Sequence, residues 1–136
     1  MGLQVLIIED DEVVIYLNRM LIEKSGLLSE PLCFFDGKKA LNYLYRNQKM
    51  TEKYLVFLDI NMPIFNGWDF LDEVKKLNYN YNIYVVLVTS SFDELDRERA
   101  KDYPQILDFI TKPLKIEHCE VIKNLLETAD LIKAGY

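Results

Sequence analysis

Three short apolar runs, at residues 5–8, 55–58 and 85–88, are continuous rather than alternating, and the first and third are rich in Val and Ile. Strands covered on both faces read this way. Residues 31–35 and 106–110 are two further strand candidates. Amphipathic stretches separate them. Val14, Leu17 and Leu21 recur at helical spacing, and Gly26 stops that helix. Residues 36–47 place Ala40, Leu41 and Leu44 on one face. Asn66-Gly67 signals a turn, after which Phe70, Leu71 and Val74 repeat helically. Ser91 with Glu94 predicts a capping box ahead of Leu95. Residues 116–129 carry Ile116, Ile122, Leu125 and Leu126 as a last helix. Residues 78–82 read as an exposed connection. Strand and helix alternate five times, which predicts an α/β fold, (βα)5: a doubly wound, five-stranded parallel sheet with helices on both faces.

The 136 residues, 50% hydrophobic, are enough for one domain with a real core and leave little room for a second. The net charge of −6 argues against DNA or anionic membranes as direct partners. No apolar run approaches the ~20 residues of a membrane helix, and the acidic N-terminal stretch does not resemble a signal peptide. Cys33 and Cys119 cannot build a disulfide framework and read as small buried hydrophobes. A cytoplasmic protein is expected. The sole histidine, His118, reads as a surface residue.

Each strong strand runs into polar chemistry: Glu9-Asp10-Asp11 after the first, Asp59 after the third, Thr89-Ser90 at the fourth and Thr111-Lys112 at the fifth. Right-handed crossovers bring the carboxyl ends of parallel strands to one edge, where open α/β sheets bind ligands. Glu9, Asp10, Asp59, Thr89 and Lys112 are therefore expected to converge. Two carboxylates ~5 Å apart repel by about 3 kcal/mol at an effective dielectric of ~20. Lys112 offsets one charge, and a hard divalent cation, Mg2+, would offset the other two. Asp11 and Glu12 suit the first turn of the following helix.

The segments VLIIEDDE, LDINMPIFNGWDFL, VLVTSS and FITKP, in this order, resemble the receiver domain of two-component response regulators, of the chemotaxis-regulator type. The resemblance covers residues 3–129 and leaves 130–136 as a C-terminal tail with no output domain. It implies the flavodoxin-like strand order 2-1-3-4-5. It also implies that Asp59 is the phosphoacceptor and that Asp10, its neighbour Glu9, Asp59 and the Asn61 backbone carbonyl form the Mg2+ site. Thr89 matches the hydroxyl that bonds the phosphoryl group, and Lys112 the lysine that pairs with it. Phe109 matches the aromatic switch position, and Lys112-Pro113 a peptide bond that is usually cis. Glu9 stands where aspartate is common, and Phe109 lacks the hydroxyl of a tyrosine.

A carboxylate nucleophile attacking a phosphoryl donor gives an aspartyl phosphate. Movement of Thr89 and inward rotation of Phe109 would bias the region from the fourth to the fifth strand. Asn61 and Ser91 lie two residues after Asp59 and Thr89, beside the path of an attacking water, and are expected to tune intrinsic hydrolysis. The implied role is a stand-alone receiver, taking its phosphoryl group from a sensor histidine kinase or phosphotransfer protein. It would signal to a protein target through a face around Phe92, Leu95, Phe109 and the last helix. A receiver-shaped interaction module that is not phosphorylated is the alternative. A phosphohydrolase of the haloacid-dehalogenase kind fits less well. Its nucleophile normally ends the first strand with a second Asp two residues on, whereas Asn61 stands there after Asp59.

Overall fold

The computed structural model describes residues 2–27, 30–47, 52–78 and 80–129, without the side chain of residue 81. The expected tail at 130–136 and part of the 78–82 connection lie outside them. The elements are β1 (Leu3–Ile8), α1 (Glu12–Ser25), β2 (Leu32–Phe34), α2 (Gly37–Arg46), β3 (Lys53–Leu58), α3 (Gly67–Val74), a 3-10 turn (Asn80–Asn82), β4 (Ile83–Thr89), α4 (Glu94–Ala100), β5 (Ile106–Thr111) and α5 (Ile116–Thr128). The strands form one sheet in the order β2-β1-β3-β4-β5, every pair parallel. That is the flavodoxin-like order implied above.

Side chains alternate across each strand, so every central strand serves two cores. Val5, Ile7, Leu55, Phe57, Val86 and Val88 pack with Ile15 and Ile22 of α1 and Cys119, Ile122 and Leu126 of α5. Leu6, Ile8, Val56, Leu58, Val85 and Leu87 pack with Ala40 and Leu44 of α2 and Phe70, Leu71 and Val74 of α3. Full burial of such a side chain is worth about 1.5–3 kcal/mol, and this two-sided burial fixes the positions of the strand ends.

Local signals set the helix boundaries. Asp11 caps α1, its side chain accepting from the N–H groups of Val13 and Val14, and Gly26 ends the helix at φ 81°. Asp36 caps α2, and Asn66 with Asp69 forms a capping box on α3.

Several sequence expectations are corrected. The buried stripe of α1 is Ile15, Asn18 and Ile22, flanked by half-buried Val14 and Leu21, whereas Leu17 is exposed beside Val13, Tyr16 and Met20. This helix is apolar on several sides, so periodicity alone does not select the face. On α5 Leu125 is exposed, and Cys119 takes its place in the core with Ile122 and Leu126. The cap of α4 is Asp93 rather than Ser91, and Leu95 is exposed. The serine hydroxyl is drawn instead to the Asp96 carboxylate. Cys119 is buried as expected, whereas Cys33 is half-buried. His118 is half-buried, its Nδ1 accepting from the Lys115 N–H at the start of α5.

Ile64 lies in the β3–α3 loop at φ 69° and is 99% exposed. A β-branched residue in the left-handed region is strained by about 1–2 kcal/mol, and here no burial offsets it. Asn tolerates that region, so Ile64→Asn is expected to raise the unfolding free energy by about 1 kcal/mol. Urea denaturation with an unchanged slope would register the gain; a loss of stability would refute the strain.

Candidate functional site

The convergence predicted from strand order is present. Glu9 follows β1, Asp59 follows β3, Thr89 ends β4 and Lys112 follows β5. Backbone bonds extend the ladders past the strand ends and hold these residues. Glu9 N–H donates to the Phe34 carbonyl at 3.1 Å, Asp59 N–H to Ile8 at 3.1 Å and Lys112 N–H to Thr89 at 2.8 Å. The Lys112-Pro113 bond is cis.

Glu9, Asp59 and Thr89 are buried, while Asp10 is exposed. Lys112 Nζ sits 2.6 Å from Glu9 Oε1 and 3.1 Å from Asp59 Oδ2, bridging the two buried carboxylates. Their other oxygens accept from the backbone: Glu9 Oε2 from Asp11 N–H at 3.1 Å and Asp59 Oδ1 from Asn61 N–H at 3.0 Å. One carboxylate oxygen each from Glu9, Asp10 and Asp59 lie within 4.8 Å of one another. Three hard oxygen donors open to solvent on the Asp10 side form a donor set suited to a divalent cation such as Mg2+.

The site is electrostatically loaded. Burial pushes the Glu9 carboxyl up to about 7. The bonds from Lys112 and the Asp11 N–H oppose that rise, and the Asp59 and Asp10 carboxyls add to it. Burial alone would lower the Lys112 ammonium, but the hydrogen bonds and charges of Glu9 and Asp59 outweigh it and raise it above the ordinary lysine value. Lys112 stays protonated, and Glu9 is the carboxylate that charges with difficulty.

Several contacts of this site had no signal in the sequence, although Asn61, Ser91 and Phe109 were expected there. The exposed Asn61 side chain donates from Nδ2 to Thr89 Oγ1 at 3.3 Å, and Ser91 N–H donates to the same oxygen at 3.3 Å. Ser91 Oγ donates to Asp96 Oδ2 at 2.6 Å and accepts from Asp93 N–H at 3.2 Å. A Cβ on Gly67 would come within 2.7 Å of Ile60 Cα and 2.8 Å of the Asp59 carbonyl. Only glycine lets the start of α3 press onto the backbone that carries Asp59. Asn66-Gly67 was read as a turn; the need for this close approach had no sequence signal. Phe109 lies half-buried in β5, with the Arg97 guanidinium 4.5 Å from its ring centroid.

The model of the response regulator receiver domain family matches residues 5–126. A response regulatory protein of Staphylococcus epidermidis is 31% identical over 122 residues, covering 88% of this chain and 45% of that protein. The transcriptional regulatory protein HptR of Staphylococcus aureus is 33% identical over 91 residues, covering 67% of this chain and 32% of that protein. The chain thus spans less than half the length of these curated relatives. A two-component response regulator from Cytophaga hutchinsonii superposes with TM-score 0.82 at 27% identity, covering 93% of this chain and 97% of that one. One from Legionella pneumophila gives 0.78 at 28% identity, covering 93% and 98%.

Because the Glu9 carboxyl lies near 7 in the folded protein and at 4.5 without its surroundings, its protonated form stabilises the fold. That contribution is complete below 4.5 and is lost as pH rises through about 7. Without divalent cations, Glu9→Gln is expected to raise the melting temperature by a few degrees at mildly alkaline pH and to change it little in acid. Added Mg2+ should reverse the order, stabilising the native protein more than the variant. Thermal melts across pH, with and without Mg2+, check both parts.

Proposed function

Since the chain belongs to the response regulator receiver domain family, we propose that it accepts a phosphoryl group on Asp59 and relays that event to a protein partner. The observation that carries this reading is the buried Asp59 carboxylate, fixed by Lys112 Nζ on one oxygen and the Asn61 N–H on the other, with the Asn61 side chain reaching on to the Thr89 hydroxyl.

Each carboxylate oxygen accepts one fixed hydrogen bond and keeps lone pairs for attack. An Asp59 oxygen forms a bond to the donor's phosphorus while the bond to the leaving group breaks, giving an acyl phosphate. Lys112 orients the carboxylate and balances charge on the incoming group. Glu9, Asp10, Asp59 and the Asn61 carbonyl would hold Mg2+, which supplies charge neutralisation when bound. The product carries added negative charge. Thr89 then donates its hydroxyl to a phosphoryl oxygen, and Phe109 rotates into the space released.

A sensor histidine kinase or phosphotransfer protein supplies the phosphoryl group. The downstream target is met by the face around Phe92, Leu95, Phe109 and the last helix, where Phe92 and Leu95 are exposed, as are Val121 and Leu125 of α5.

With acetyl phosphate and Mg2+, the intact protein is expected to gain the mass of one phosphoryl group, and a chelator or Asp59→Asn should abolish the gain. A gain that persists in Asp59→Asn would overturn the assignment, and no gain in the native chain would favour the interaction module. Asn61 and Ser91 flank the approach of a hydrolytic water. Replacing both with bulky residues is expected to lengthen the lifetime of the acyl phosphate severalfold, followed by mass spectrometry after donor removal; an unchanged decay would remove them from that role.

A further inference from the structure

Helix α4 is held differently from the other helices. Among the described residues it has no buried side chain, whereas α1, α2, α3 and α5 each bury three or more. In place of an apolar stripe, α4 grips one buried indole. Trp68 of α3 is 5% exposed, and its Nε1–H donates to Asp96 Oδ1 at 3.1 Å. One helical turn on, the Arg99 guanidinium lies 4.7 Å from the Trp68 ring centroid and 3.7 Å from Asp72 Oδ2. Residues three apart share a helix face, so Asp96 and Arg99 form two jaws closing on one ring.

Asp96 has a second connection. Its other oxygen accepts from Ser91 Oγ at 2.6 Å, and the Ser91 N–H donates to Thr89 Oγ1 at 3.3 Å. A set of hydrogen bonds therefore runs from the Thr89 hydroxyl, which Asn61 links to Asp59, through the β4–α4 loop, to the indole that anchors α4. If the Thr89 hydroxyl turns toward a phosphoryl group, the Ser91 N–H loses its acceptor unless the loop follows. The loop can follow only if Ser91 Oγ or Asp96 lets go.

We propose that Asp96 is a positioning residue for phosphorylation at Asp59. By holding Ser91 and Trp68 together, it keeps the loop and α4 in the resting arrangement and sets how readily the receiver switches. The proposal rests on the Asp59 reading above. A clasp that stabilises the resting state lowers the population of the phosphorylation-competent state, and with it the observed rate. Releasing the clasp therefore accelerates the reaction. A merely structural contact would lower the melting temperature without that gain.

The test measures initial phosphorylation rates with acetyl phosphate and Mg2+ by intact mass, alongside melting temperatures. Asp96→Ala and Trp68→Phe are each expected to raise the rate about fivefold, the order set by one or two net hydrogen bonds. The double variant should be no faster than either single one, because both break the same link. Asp96→Asn retains an oxygen acceptor for the indole and should fall between. In the native protein, emission from Trp68, the sole tryptophan, should change with the same time course as the mass gain. If the native protein gains no mass, the Asp59 reading fails and the clasp's role falls with it. If it gains mass, but folded Asp96→Ala, Asp96→Asn and Trp68→Phe react no faster, the clasp alone is overturned.

Discussion

Two nearly buried carboxylates, Glu9 and Asp59, share one lysine. In a flexible chain they would separate, because like charges at this range repel by a few kcal/mol. Here they stay. Each sits one residue past a strand buried on both faces, and a backbone hydrogen bond to the neighbouring strand extends the ladder to include it. The sheet thus turns repulsion into a standing demand for positive charge. Lys112 meets part of it and the backbone N–H groups of Asp11 and Asn61 meet another part. What is left unmet suits a divalent cation at this edge.

The same rigidity would be a handicap in a switch, and the architecture separates the two requirements. α1, α2, α3 and α5 lay apolar stripes on the sheet and share its stiffness. α4 grips by polar and cation–π contacts: Asp96 and Arg99 on Trp68, and Arg97 on Phe109 with a 3.1 Å bond to Thr111 Oγ1. Contacts of this type are worth about 0.5–2 kcal/mol each. They can be exchanged one for another without opening an apolar core.

That contrast also explains what could be read from the chain. Continuous apolar runs located the central strands, and reactive residues at their ends assembled the site, because parallel strands admit one arrangement of carboxyl ends. The faces of α2 and α3 followed from Ala40, Leu44, Phe70 and Val74. The face of α1 did not, since Leu17 and Ile15 are equally apolar and tertiary packing chose between them. The anchoring of α4 left no periodic signal at all. Its partners, Asp96 and Trp68, are 28 residues apart and meet through a single hydrogen bond. Asn61 was placed at the site, but the bond from its amide to Thr89 was hidden for the same reason: it depends on two strands being neighbours.

Thr89 is where the stiff and the adaptable parts join. Its backbone is paired with Thr111 in the β4–β5 ladder and accepts from the Lys112 N–H, so the main chain is fixed. Only rotation of the side chain can carry information outward. That rotation acts on two acceptor contacts, from Asn61 Nδ2 and from Ser91 N–H. One such bond is worth about 0.5–1.5 kcal/mol net. A signal of that size could not lift a helix anchored by two buried leucines, which would cost about 3–6 kcal/mol of lost burial. It is commensurate with a helix held by a carboxylate and a guanidinium on one indole. The weak anchoring of α4 is therefore matched to the size of the push that reaches it, and strengthening α4 with a buried apolar stripe would stabilise the protein while disconnecting it from Asp59.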